Sequence, residues 1–202
     1  MTRASVGIVN YGLGNHNSIS NSLKKLGYRC KVSDQKSELK ECDILLLPGV
    51  GAFAPAMQAI QSKELDIFLK EEVEKNKPII GVCLGMQILG ELSFENGETN
   101  GLGLLPGKVV PFNSNNCHVG WNSVKLIQSN SFLNTIDNFY FYFNHSYIYS
   151  SSSEYVIANS SFDDFRFPSI VKKGKVFGCQ FHPEKSGTTG EKLLRRWLKN
   201  IQ

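Results

Sequence analysis

Residues 79–87 read IIGVCLGMQ. Two β-branched residues open a short apolar strand, and the residues after Leu84 continue with the texture of a helix. Between them stands Gly81-Val82-Cys83-Leu84-Gly85, the pattern of a sharp strand-to-helix turn that pushes one side chain out at the carboxyl edge of a parallel sheet. The glycines let the backbone pass where a Cβ would clash. A sulfur at such a turn sits at a helix N-terminus, where the dipole and free N–H groups favour thiolate over thiol. The amide of Leu84 is placed as a donor for a developing oxyanion.

Working outward, the first half of the chain alternates strand-like and helix-like segments, which predicts βαβ units and a parallel sheet covered on both faces. Val6–Asn10 is a short apolar strand, Ser18–Leu26 has helical periodicity and stops at Gly27, and Tyr28–Val32 is the next strand. CDILLLPG (42–49) is a fully apolar strand ended by Pro48-Gly49; Asp66–Lys75 is an amphipathic helix before Pro78 and the strand at 79. After about residue 100 the texture turns aromatic and β-branched. GLGLLPGKVVPF (101–112), HVGWNSVKLI (118–127), FYFYFNHSYIYS (139–150) and KVFGCQF (175–181) are expected as short strands, some antiparallel, added to the same sheet. The serines at 150–153 suit a tight surface connection. Leu193, Leu194, Trp197, Leu198 and Ile201 share one face of a C-terminal helix that docks on the core. The fold class is therefore α/β, a single domain over 1–202 with a largely parallel central sheet plus added antiparallel strands.

Bulk properties exclude several function classes. With 22 basic and 18 acidic residues dispersed along 202 positions, the net charge of +4 describes no nucleic-acid groove. Five widely spaced cysteines (30, 42, 83, 117, 179) form no CxxC pair, so neither a disulfide framework nor a metal knuckle is expected. No apolar run reaches the length of a membrane span, and the N-terminus has no signal-peptide texture. A cytoplasmic protein is expected.

A lone cysteine at a strand end is more often structural than catalytic, so the thiol needs partners. GCQFHPEKSG (178–187) supplies them after a strand: His182 and Glu184 are separated by one residue, and in an extended chain such residues project to the same side. Pro183 is expected to keep the segment extended. Glu184 would then hold the imidazole of His182 as the acid of a triad does, and His182 would serve Cys83. LPGVGAF (47–53) follows another parallel strand at the edge where open α/β sheets bind ligands; its glycines permit a backbone N–H near Val50 to turn toward a substrate. Its bland alternative is a turn before a helix.

Together PGVGAF, GVCLGMQ and QFHPEKSG resemble, in order, the signatures of the class I, or triad, glutamine amidotransferases. Within that class NYGLGN (10–15), HVGWN (118–122) and YFNHSY (142–147) resemble the glutaminase subunits of imidazole glycerol phosphate synthases, over essentially the full length. The resemblance implies a three-layer, flavodoxin-like fold and hydrolysis of glutamine to glutamate and ammonia by Cys83, His182 and Glu184. It implies that Gly49, Val50, Gly51 and Leu84 serve the oxyanion and that Gln87, Ser146 and Tyr147 hold glutamine. It also implies a heterodimer with a (β/α)8-barrel cyclase, reached by an ammonia channel, with Asn10, Asn15, Trp121, Asn122, Tyr142 and Lys185 at the interface. No metal or other cofactor is implied. The chain departs from the pattern at Asn10, where an acid is usual, at Cys117, where a proline is usual, and at Asn144, where an apolar residue is usual.

Other readings compete. A paralogous amidotransferase subunit supplying ammonia for surface-sugar amidation shares the triad motifs, and so does a different Cys-His hydrolase such as a γ-glutamyl hydrolase. GLGN after the first strand is a weak start to a dinucleotide fingerprint, because Asn17 occupies the third glycine position. An inert interaction subunit is hard to reconcile with three intact triad residues.

Overall fold

A computed structural model describes residues 4–112, 117–128 and 140–200. Strands are β1 (Ser5–Val9), β2 (Arg29–Ser33), β3 (Ile44–Gly49), β4 (Ile79–Cys83), β5 (Leu92–Ser93), β6 (Thr99–Asn100), β7 (Lys108–Pro111), β8 (His118–Ser123), β9 (Lys125–Leu126), β10 (Tyr140–His145), β11 (Tyr147–Ser150), β12 (Val156–Phe162), β13 (Phe165–Lys173) and β14 (Val176–Cys179). Helices are α1 (His16–Lys25), α2 (Lys36–Lys40), α3 (Phe53–Ser62), α4 (Leu65–Glu74), α5 (Leu84–Ile88) and α6 (Gly187–Asn200). None is long and apolar enough to cross a membrane among the described residues. Phe139 and Ile201, expected in a strand and on the last helix, lie outside the described residues.

The main sheet has the order β2-β1-β3-β4-β14-β13-β12-β9. Its first five strands are mutually parallel and the last three antiparallel. Alternation along each central strand splits the core in two. Ile8, Leu46, Ile80 and Val82 face α1 and α6, where Leu23, Leu193, Leu194, Trp197 and Leu198 bury their side chains. Val9, Leu45, Leu47 and Ile79 face α3 and α4, meeting Phe53, Met57, Ile60, Leu65 and Leu69. These are the expected three layers, and the C-terminal helix docks by its apolar face.

The aromatic strands divide differently from expectation. Only β9 and β14 of the expected set join the main sheet. β8 and β10 pair as a separate two-stranded ribbon, and β11, β7, β5 and β6 form a four-stranded sheet of their own. The cause is that local texture reveals a strand but not its neighbour, since pairing is decided by distant chain. The β12–β13 hairpin, which turns at Asp163 with φ +49°, supplies the antiparallel edge instead.

Candidate active site

Cys83 ends β4 with φ +55° and ψ −113°, a conformation that a non-glycine residue adopts only under constraint. The constraint is the packing of α5 onto β3 and β4. A Cβ on Gly81 would lie 2.6 Å from Leu89 Cδ1 and 2.7 Å from the Gly85 carbonyl carbon, and one on Gly85 would run into the Leu47 carbonyl oxygen. Both glycines are thus required by close approach, and the turn between them forces the cysteine outward. α5 is only five residues long, and Cys83, its N-cap, makes no side-chain capping hydrogen bond to it, so the expected support of the sulfur by a long aligned dipole is not built here.

β14 lies beside β4 in parallel, with Cys179 opposite Val82, and so carries the chain past the sulfur to His182. The segment after it is not extended. Pro183–Lys185 form a 3-10 turn with His182 as N-cap, because proline's fixed φ suits the first position of a helical turn. The turn still brings the side chains together: His182 Nδ1 is 2.9 Å from Glu184 Oε1, both almost wholly buried. Burial opposes charge on the ring, but Cys83 and then Glu184 outweigh it and hold the pKa of His182 up at about 10. His182 Nε2 is buried without a hydrogen bond of its own, and Cys83 is the strongest of the groups that raise the ring's pKa. Cys83 Sγ makes longer contacts, to the Asn144 carbonyl at 3.8 Å and from Gln180 Nε2 at 3.9 Å.

A cavity of about 230 Å³ opens beside the sulfur. Of the expected residues, Val50, Gly51, Leu84, Gln87, Ser146 and Tyr147 line it; Gly49 does not, being packed under Tyr11 and Leu84. Gln87 is buried and donates to the Tyr147 carbonyl and to Gln180 Oε1, each at 3.1 Å. Ser146 Oγ stands 2.8 Å from Cys117 Sγ. Glu95, Asn144 and His145 also line the cavity. Glu95 accepts the Phe53 amide at 2.9 Å, tying the start of α3 to the wall. Neither Glu95 nor Gln180 was singled out by the sequence motifs, and the one cue was the glutamine two residues before His182. Among the described residues no group of three or more His, Cys, Asp or Glu side chains is placed to hold a metal ion.

The residues expected at an interface fall into three sets. Trp121 and Tyr142 are register partners on the outer face of the β8–β10 ribbon, with ring centroids 6.4 Å apart, and Lys185 Nζ lies 5.7 Å over the Tyr142 ring. Val119, Trp121 and Tyr140, all more than half exposed, extend this apolar face. Asn122 points the other way, donating to the Ser161 carbonyl at 2.8 Å. Asn10 and Asn15 shape the turn after β1: Asn10 Oδ1 accepts the Gly12 amide at 3.1 Å, and Asn15 caps α1 through the Ser18 amide at 3.3 Å.

A family model described as glutamine amidotransferase class-I matches residues 7–201. The imidazole glycerol phosphate synthase subunit HisH of Oceanobacillus iheyensis is 42% identical, covering 98% of this chain and 100% of that protein. The protein of the same name from Caldanaerobacter subterraneus subsp. tengcongensis is 41% identical, covering 98% of each. Among solved structures, a crystal structure of a glutamine amidotransferase superposes with a TM-score of 0.77 at 22% identity, over 97% of this chain and 98% of the other. PurLQS from Thermotoga maritima does so with a TM-score of 0.78 at 20% identity over the whole of both chains. At those identities the structures attest the fold alone.

Proposed function

We infer that this chain, which belongs to the class I glutamine amidotransferases, is the glutaminase subunit of an imidazole glycerol phosphate synthase and serves histidine biosynthesis. The observation that carries the reading is the convergence of Cys83, His182 and Glu184 beside one cavity. Cys83 Sγ attacks the side-chain amide carbon of glutamine, and the negative charge moves to the amide oxygen. Leu84 and the Val50–Gly51 loop, which share the cavity wall with the sulfur, are the donors for that oxygen.

His182, a cation at neutral pH with its Nδ1 held by Glu184, gives its Nε2 proton to the departing nitrogen. Ammonia leaves and a γ-glutamyl thioester remains. The ring, now neutral, takes a proton from water as the water attacks the thioester, releasing glutamate and restoring the sulfur. The sum is glutamine plus water to glutamate plus ammonia. Gln87, Ser146 and Tyr147 hold the glutamine.

The ammonia is consumed by a partner, a (β/α)8-barrel cyclase that docks on the exposed face of Val119, Trp121, Tyr140 and Tyr142, with Lys185, Asn10 and Asn15 at its margin. The exposure of three large apolar side chains, Val119, Trp121 and Tyr140, beside the half-buried Tyr142 on one short ribbon supports this docking face. The test is Cys83→Ala in the complex with the cyclase. Glutamine-dependent synthesis should disappear while synthesis from an added ammonium salt continues. Loss of both reactions would overturn the assignment of Cys83 as the nucleophile alone.

A further inference from the structure

Two buried histidines take no part in that chemistry. His118 on β8 and His145 at the end of β10 are register partners, 2% and 7% exposed. Their rings join end to end: His118 Nδ1 is 2.9 Å from His145 Nε2, His145 Nδ1 is 3.0 Å from the Tyr147 carbonyl oxygen, and Asn122 Nδ2 is 3.1 Å from His118 Nε2.

The direction of this chain follows from its two ends independently. At one end a carbonyl can only accept, so His145 carries its proton on Nδ1 and offers Nε2 as an acceptor when neutral. At the other, Asn122 Oδ1 accepts the Ser123 amide at 2.7 Å while Nδ2 donates to the Ser161 carbonyl, which fixes the amide group and makes Nδ2 the donor to His118. Both ends require the same arrangement in the middle, with His118 donating from Nδ1 to His145 Nε2. Aromatic walls keep the rings neutral. His118 is stacked between Phe143 and Phe162, with centroids 4.7 and 4.3 Å away, and burial lowers its pKa to about 4 and that of His145 to about 3.

Beyond Tyr147 the path continues, because the same carbonyl accepts from Gln87, which donates to Gln180, whose amide reaches Cys83 Sγ. We propose that His118 and His145 are positioning residues: a one-way hydrogen-bond relay from Asn122, next to Trp121 on the docking ribbon, to the Tyr147 carbonyl holds the wall of the glutamine cavity in register with the docking face. This rests on the reading of the cavity as a glutamine site. Both ends allow the chain only one sense, so a shift of β8 that breaks one bond is felt at Tyr147.

Nitrogen-15 spectra of the imidazoles in the full chain at neutral pH test the relay without any turnover. Both rings should be Nδ1–H tautomers, and an Nε2–H tautomer at either would overturn it. Kinetics of the complex with the cyclase test its consequence. His118→Phe keeps the stack but has no Nδ1 donor, and should raise KM for glutamine roughly 3–10-fold, with ammonium-dependent synthesis unchanged. His118→Asn, which replaces that donor, should recover most of the loss. An unchanged KM in His118→Phe, or a loss that His118→Asn does not reverse, would reduce the pair to packing. A wild-type complex inert toward glutamine would count against the functional reading instead, and the tautomers would still decide the relay.

Discussion

The amide N–H of His182 donates to the carbonyl of Tyr142 at 2.8 Å. The clamp is reciprocal, since the Tyr142 amide donates to Ser186 Oγ at 3.0 Å and that hydroxyl donates to the His182 carbonyl at 2.6 Å. The strand whose outer face carries Tyr142 beside Trp121 therefore fixes the backbone of His182 directly. The proposed docking face and the proposed general acid–base are thus joined by three hydrogen bonds.

Trp121 is more than half exposed, so its truncation to alanine removes little packing from the free chain. Stability to urea should change by no more than about 0.5 kcal/mol. Affinity for the cyclase, measured by titration calorimetry, should fall by more than roughly tenfold, as for an aromatic anchor at the centre of an interface. Unchanged affinity would move the docking face elsewhere.

Glu184→Gln keeps an acceptor near His182 Nδ1 but removes the charge that helps hold the ring protonated. Glutamine turnover should drop by roughly 10²–10⁴-fold, with KM little changed and ammonium-dependent synthesis intact. A rise in KM at constant kcat would place Glu184 in binding rather than in orienting the imidazole.

The histidines give stability opposite pH dependences at the two ends of the scale. His182 binds its proton more tightly when folded, so its contribution is complete below its unperturbed 6.5 and is lost as pH rises from 6.5 through about 10. His118 and His145 bind theirs more weakly when folded; their contribution is complete above 6.5 and is lost as pH falls toward about 4 and about 3. Urea denaturation across pH should therefore show a shallower alkaline limb for Glu184→Gln and a shallower acid limb for His118→Phe. Acid limbs that superpose would contradict the burial of a neutral His118.

Gly85→Ala sets a methyl group against the Leu47 carbonyl oxygen, a backbone atom that cannot give way. The loss of stability should exceed roughly 4 kcal/mol, read as insolubility or as a large fall in the urea midpoint. Gly51→Ala is the contrast, because its φ of +106° strains a side chain but nothing lies within 4 Å of the new carbon. It should cost only about 1–2 kcal/mol and leave a folded chain.

Sequence alone determined what short-range chemistry determines. Apolar runs broken by Gly and Pro marked β3, β4 and the elbow at Cys83, and the spacing of Leu193, Leu194, Trp197 and Leu198 marked the buried face of α6, because strand and helix periods are local properties. The pairing of His182 with Glu184 was legible too, although by a 3-10 turn rather than an extended strand, since proline suits either and only the packing of its neighbours chooses. What tertiary structure alone decided was adjacency. That β14 lies against β4 and so delivers His182 to Cys83, that β8 pairs with β10 apart from the main sheet, and that Glu95 and His145 line one cavity with Gln180 and His118 hydrogen-bonded behind it, all depend on contacts between segments far apart in the chain. Such contacts leave no periodic trace in composition, because their energy comes from which surfaces meet and not from what any one segment prefers.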